Sequence, residues 1–490
     1  MFAFDNSYAR LPSQFYARVS PTKVREPRLV KVNGALAELL GIDPEKLAGP
    51  EATEILSGNA LPAGADPIAL AYAGHQFGSF VPQLGDGRAI LLGEVVAVDG
   101  KRRDIQLKGA GRTPFSRGGD GRAALGPVLR EYVVSEAMAA LGVPTTRALG
   151  AVITGEPVFR EKTLPGAVFT RVAASHIRVG TFEFFAARGD RDALGTLATY
   201  ALSRHYPAEA GRGNDALSLL ERVVVAQAEL VARWLGVGFV HGVMNTDNTA
   251  VSGETIDYGP CAFLDEYDPK KKFSSIDHGG RYAFANQPRI ALWNLTRLAE
   301  ALLPLFADVE EDAVRLAKER LDRFAGHFEA AHGLVVRAKL GLLGEEEEED
   351  PLLVGDLFGR LASNGVDYTV FFRRLCDAAA GPEKDAEIAA MFGAPGAFLD
   401  WAERWRRRLA KENGTAEARR RAMRLVNPAF IPRNHRIEAM IDAAVERADF
   451  EPFETLLQVL GKPYDDQPEF AHLAEPPRPH ERVRETFCGT

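Results

Sequence analysis

The run His241-Gly-Val-Met-Asn-Thr-Asp-Asn248, with Asp257-Tyr-Gly259 beginning nine residues after Asn248, restricts this chain more than any other stretch. Asn248 and Asp257 offer hard oxygens of the kind Mg²⁺ or Mn²⁺ takes through few protein groups plus nucleotide phosphates. A lone Asp-Tyr-Gly is weak, because Asp and Gly are common in turns. Its spacing from Asn248 gives it weight. Asp247 stands beside Asn248, whereas Val243 can neither accept a proton nor bind a metal.

At 490 residues the chain has length for about three domains. Charged residues make up 26% and apolar ones 46%, ordinary for a soluble globular enzyme. The net charge of -8 argues against nucleic acid as a partner. Three cysteines do not make a disulfide framework. Cys376, in an apolar-periodic segment, reads as a buried small hydrophobe, and Cys488, third from the end, as an exposed thiol. No signal-peptide core follows Met1 and no apolar run is long enough to span a bilayer. The expectation is a cytoplasmic protein without a membrane partner.

Residues 1–60 mix short apolar pieces with Pro and Gly and read as a wrapping extension. Residues 89–98 and 104–108 flank Asp99-Gly100, a hairpin signature. Gly85-Asp-Gly87, after Phe80-Val81, suggests a further turn and three linked antiparallel strands. Residues 127–141 read as a helix with Pro in its first turn and Gly142 at its end. Val152-Ile153 and residues 167–170 return to strand character. A helix over 217–235 leads into 237–241, and from Ile290 onward the pattern is helical. Six acids at 345–350 mark a boundary, and Glu475-Pro-Pro-Arg-Pro should lie extended. The fold class is α+β, with sheet, helix and sheet in the order of a protein-kinase small lobe. The expected divisions are an extension (1–60), a small lobe (61–165), a large lobe with the catalytic and metal motifs (166–340) and a helical C-terminal region (341–490).

Lys108 ends a strand in Ile-Gln-Leu-Lys, much as V-A-I-K presents its lysine in kinases, and Glu131 lies on the following helix, where it can hold that ammonium against phosphates. Either alone reads as a solvated charge; together, ahead of residues 241–248, they read as a site. In the pattern H-R-D-x-x-x-x-N the Asn position is filled by Asn248, while Val243 replaces the Asp. No G-x-G-x-x-G loop is present. The nearest glycine loops are Gly85-Asp-Gly-Arg88 and Gly118-Gly-Asp-Gly121, each of which singly reads as a plain turn. Arg171 and Arg178 could clamp phosphate bidentately, or each could form a surface ion pair. His241 reads as structural, and the basic stretches 404–408 and 419–424 as solvated helix faces.

With these residues assembled, the sequence resembles the selenoprotein O family of pseudokinases, which transfer AMP to proteins. Specific matches are Gln106-Leu-Lys-Gly-Ala-Gly-Arg-Thr-Pro-Phe-Ser-Arg117, Gly119-Asp-Gly-Arg-Ala123, residues 241–248, and Asp257-Tyr-Gly-Pro-Cys-Ala-Phe-Leu-Asp265. Cys488 stands where animal members carry selenocysteine. The resemblance implies a kinase-like two-lobe fold with ATP (or UTP) bound flipped, so that the α-phosphate faces a Ser, Thr or Tyr hydroxyl of a protein substrate. It implies nucleotide binding by Gly85, Gly87, Arg88, Lys108, Asp120, Gly121, Arg171, Arg178 and Asp257, with Glu131 supporting Lys108. It makes Asn248 and Asp257 the Mg²⁺ or Mn²⁺ ligands, Asp247 the proton acceptor, and Cys261 with Cys488 a redox pair on an extended tail. The residues by themselves leave three functions open: AMP transfer, a phosphotransferase whose base has moved to Asp247, and a non-catalytic nucleotide-binding scaffold. A full metal site argues against the third.

Overall fold

The structure is a computed structural model and describes residues 1–487. Its strands are β1 (Tyr16–Arg18), β2 (Arg28–Val32), β3 (Ile68–Leu70), β4 (Gly74–Gln76), β5 (Ser79–Val81), β6 (Ala89–Val96), β7 (Arg102–Lys108), β8 (Ala123–Ala124), β9 (Arg147–Phe159) and β10 (Thr163–Ala173), with a short pair β11 (Phe239–Val240) and β12 (Ala262–Phe263) further on. The main sheet is antiparallel in the order β1-β3-β6-β7-β10-β9-β2, with β8 added to β10. With many helices beside it, the fold is α+β.

Side chains alternate across this sheet, as strand geometry requires. Ile90, Leu92, Ile105, Leu107, Val152 and Val168 join one apolar cluster. Leu91, Ala148, Ala151 and Phe169 join another, packed on Leu129, Tyr132 and Val133 of the helix Leu125–Ala140. Both faces therefore carry apolar packing. Residues 1–60 do more than wrap. They supply both edge strands, β1 and β2, and the short helices Gly34–Leu39, Pro44–Leu47 and Pro50–Leu56 that cover the first face.

One expectation is corrected here. Phe80-Val81 belongs to β5, which does not join β6; it pairs with β4 through Gly74↔Val81, His75↔Phe80 and Gln76↔Ser79. The partner of β6 is β3, through Ile68↔Leu91. The cause is local. Phe77 (φ 53) and Gly78 (φ 89) are both left-handed, which closes a two-residue hairpin and turns it off the sheet.

Downstream, Asn214 caps the helix Asp215–Val237 by accepting from Leu217 N at 3.0 Å, and left-handed Gly238 (φ 75) ends it. The helix Gln287–Leu302 packs in the same core. A separate apolar cluster gathers Phe371, Phe372, Cys376, Trp401 and Trp405, so Cys376 is buried as its sequence context suggests. The arginines of 404–408 and 419–424 form a solvated face only in part: Arg407 and Arg421 are exposed, but others are not. Arg408 is buried against Asp350 at 2.6 Å, Arg406 meets Asp385 at 2.7 Å, and Arg424 meets Asp377 at 2.9 Å. The acids that answer them lie on neighbouring helices, which spacing along one helix could not reveal. Among the described residues, no helix is long and apolar enough to cross a membrane.

Arg433 ties this helical region to the rest. It is 1% exposed and donates to Asp265 at 2.9 Å and to both oxygens of Asp367 at 2.7 and 3.1 Å. Removing one partner of such a cluster strands buried charge. Arg433→Ala is expected to destabilise the fold by about 3–5 kcal/mol, read as a lower urea midpoint, with Arg433→Lys losing less.

Candidate active site

β10 places Arg171 opposite Gln106 of β7, so Lys108, two residues on, shares its face. The helix Leu125–Ala140 brings Glu131 to meet both. Lys108 Nζ donates to Glu131 Oε2 at 2.6 Å, and Arg171 Nε to Oε1 at 2.9 Å. Lys108 also donates to Asp257 Oδ1 at 3.3 Å. Burial opposes the charge on Glu131, but Arg171 and Lys108 outweigh it and hold the carboxyl below its ordinary value. Burial likewise opposes Asp257, and Lys108, Arg171 and Arg88 hold it well below the usual carboxylate range. Asp257 adopts φ 69, a left-handed conformation that aspartate tolerates better than most side chains.

Asn248 spends its amide nitrogen on the Val243 carbonyl at 3.1 Å, which leaves its oxygen to serve a cation. With Asp257 it forms a two-oxygen donor set on one cleft. Such a set fits Mg²⁺ or Mn²⁺, which complete their shells with phosphates and water. Among the described residues, no three His, Cys, Asp or Glu side chains form an all-protein metal cage.

The cleft has a volume of about 440 Å³, and two glycine loops form part of its wall. At Gly85 (φ 73) a Cβ would lie 2.3 Å from the Phe115 ring, and at Gly121 (φ 69) it would lie 2.1 Å from the Gly111 carbonyl. Side chains are thus excluded at these two turns by the protein's own packing. The loops are pinned together: Gly111 N donates to Gly121 O at 3.0 Å, and Thr113 Oγ1 to Asp86 O at 2.7 Å. Asp120 is held by Arg160 at 2.8 Å and accepts from Arg122 N at 2.9 Å.

Across the cleft, Arg178 packs its guanidinium 4.4 Å from the Tyr72 ring centroid and donates from Nη1 to Asp247 O at 3.0 Å. It therefore holds the backbone of the 241–248 loop. Asp247 is 8% exposed, and its Oδ2 accepts from Gln76 Nε2 at 3.2 Å. Burial pushes this carboxyl up to about 6, against the pull of Arg178 and Gln76. His241 is buried, donating from Nε2 to Ile256 O at 2.9 Å and accepting from Val243 N at 3.3 Å. Burial lowers its basicity, and it is a structural pin, as its context suggests.

Gly85, Gly87, Arg88, Lys108, Asp120, Gly121, Arg171, Arg178, Asp247, Asn248 and Asp257 all line this one cleft, with Glu131 behind it. Cys261 does not. It is 1% exposed, its thiol is pushed up to about 12 by burial, and Arg130 donates to its carbonyl. Cys488 lies outside the described residues. The chain leading to it runs beside the Cys261 segment, with Thr486 Oγ1 donating to Pro260 O at 2.5 Å.

Sequence reasoning missed Tyr72, Gln76, Asp86 and Arg160, which also line the cleft. Gly-His-Gln-Phe-Gly carries a turn signal at 74–78, and Asp86 sits between two glycines already singled out; Tyr72 and Arg160 carry no local signal. Gly121→Ala is expected to weaken ATP binding at least about tenfold in calorimetry, with helical content unchanged, because strained backbone must move.

The family model for protein adenylyltransferase SelO matches residues 1–461. A protein nucleotidyltransferase YdiU from Methylorubrum populi is 65% identical, the match covering 100% of this chain and 99% of that protein. Proteins of the same name from Rhodopseudomonas palustris and a Bradyrhizobium species are 62% and 63% identical over the same shares. A likeness that spans the entire cleft and nearly all of the fold leaves one assignment: this chain belongs to the protein adenylyltransferase SelO family.

Proposed function

We propose that this protein transfers AMP from ATP, or UMP from UTP, to Ser, Thr or Tyr hydroxyls of other proteins and releases pyrophosphate. The observation that carries the reading is the position of Asp247. A buried carboxylate lines the cleft that also holds Lys108, Arg88, Arg171, Arg178 and Asp257, while Val243 offers no group for proton transfer. A base at Asp247 suits a nucleotide whose α-phosphate, not its γ-phosphate, meets the acceptor.

In this mechanism Asp247 takes the proton of the acceptor hydroxyl as its oxygen attacks the α-phosphorus. The bond from that phosphorus to the bridging oxygen breaks in line, and pyrophosphate leaves. Arg88, Arg171 and Lys108 are placed to offset charge on the phosphates, and the glycine loops present backbone to them. A divalent cation bound by Asn248 and Asp257 would supply further charge neutralisation. Glu131 keeps Lys108 and Arg171 oriented.

The architecture proposed for this chemistry is kinase-like and two-lobed. Its divisions are an extension (1–60), a small lobe (61–165), a large lobe (166–340) and a helical region (341–490). Support comes from the pair of Lys108 and Glu131 between strand and helix, with Lys108 reaching on to Asp257 and Asn248 lining the same cleft. A redox link between Cys261 and Cys488 is part of the same reading, supported by Thr486 donating to the carbonyl of Pro260, the neighbour of Cys261.

With ATP labelled at the α- or the γ-phosphate, protein-bound label is expected from the α-position alone. Label from the γ-position alone would make the protein a phosphotransferase instead. Asp247→Asn is expected to keep ATP affinity within about twofold while lowering transfer about 10²–10⁴-fold. EDTA should abolish transfer, and excess Mg²⁺ or Mn²⁺ should restore it.

A further inference from the structure

The hairpin of β4 and β5 grips the catalytic loop residue by residue. His75 N donates to Thr246 Oγ1 at 2.6 Å, Gln76 Nε2 donates to Asp247 Oδ2 at 3.2 Å, and Phe77 N donates to Asn245 Oδ1 at 3.1 Å. Three successive hairpin residues thus answer three successive loop residues. The hairpin's root is equally close. Ala73 N donates to Gly180 O at 2.9 Å, a Cβ on Gly180 would lie 2.2 Å from Ala73 O, and one on Gly74 would lie 2.8 Å from Asp247 Oδ1.

This grip is held against strain. Phe77 carries φ 53, an uncommon conformation for a bulky side chain. Its ring packs 5.1 Å from that of Tyr282, whose hydroxyl donates to the same Asn245 Oδ1 at 2.6 Å. His75 is fixed from the other side by Glu183, with its ring 5.3 Å from that of Trp293. Strained backbone persists only where surroundings over-determine it, and it gathers at functional sites.

Gln76 is the residue this scaffold delivers. The terminal torsion of an aspartate is soft, so a carboxylate holds one plane only if something fixes it. Oδ1 of Asp247 is buried against Gly74 without a hydrogen-bond partner, and Gln76 supplies the side-chain hydrogen bond to Oδ2. Gln76 and Asp247 both line the cleft.

We propose that Gln76 is a positioning residue that fixes the plane of the Asp247 carboxylate for its encounter with the acceptor hydroxyl, the β4–β5 hairpin being the device that holds it there. This rests on the reading of Asp247 as proton acceptor. It makes residues 74–78 part of the acceptor side of the site rather than of the nucleotide side.

The test compares Gln76→Met, which keeps length but loses the donor, with Gln76→Asn, which keeps the amide on a shorter stem, and with Asp247→Asn. Each is assayed for transfer of α-labelled AMP at saturating ATP, and for ATP affinity by calorimetry. Gln76→Met is expected to lower kcat about 10–100-fold, the usual cost of a reacting group displaced by about an ångström, with KM for ATP and ATP affinity unchanged within about twofold. Gln76→Asn should recover part of the loss, and Gln76→Met should add little in the Asp247→Asn background. Unchanged kcat in Gln76→Met with a crippled Asp247→Asn would overturn the positioning role and leave the base in place. A raised KM for ATP at normal kcat would also overturn it, placing Gln76 on the nucleotide. Full activity in Asp247→Asn would remove the base itself, and the inference with it.

Discussion

The site depends on one buried cluster of charge: Lys108, Glu131, Arg171 and Asp257. Glu131 is 4% exposed and accepts from both cations, and Lys108 reaches on to Asp257. Two carboxylates face two cations, whose pull outweighs the burial that disfavours the charged acids and leaves them ionised. The cluster also joins four separate segments: β7, β10, the helix Leu125–Ala140 and the loop that carries Asp257. A shift in any one would leave a largely buried charge unanswered, which is why such a network specifies geometry as well as charge.

Asp247 lives under the opposite rule. Burial raises its carboxyl, and Arg178 and Gln76 pull it back only in part. Two aspartates ten residues apart in sequence thus carry different proton affinities because their neighbours differ. The acid among cations stays ionised, and the acid with fewer of them holds a proton more readily.

Much of this was legible from residue types at fixed spacings. Lys108 at a strand end, Glu131 one turn into a helix, and Asn248 with Asp257 all draw on local geometry that repeats wherever the motif occurs. The hairpin at 74–81 was not. Its two strands are three residues each, its turn uses a phenylalanine at positive φ, and its partners lie about 170 residues away. Phe80-Val81 carried strand character without saying which strand it joins. The charged faces at 404–408 and 419–424 were read only in part for a related reason: helical period tells which residues share a face, and whether each meets water depends on acids such as Asp350 and Asp377 on other helices.

The sheet's borders carry a consequence for how the chain is made. Both outer strands come from its early part: β1 pairs with β3, but Arg28 of β2 pairs with Ile153 of β9. At ordinary rates of translation that second partner is synthesised roughly 6–25 s later. Until then β2 has nowhere to bind, and the outer edge of β9 is bare as soon as that strand forms. Closing so long a loop costs little extra free energy but slows the search. This seam therefore joins a strand delivered near the start to one delivered much later, and in that interval the unpaired edge is open to pairing with the wrong strand.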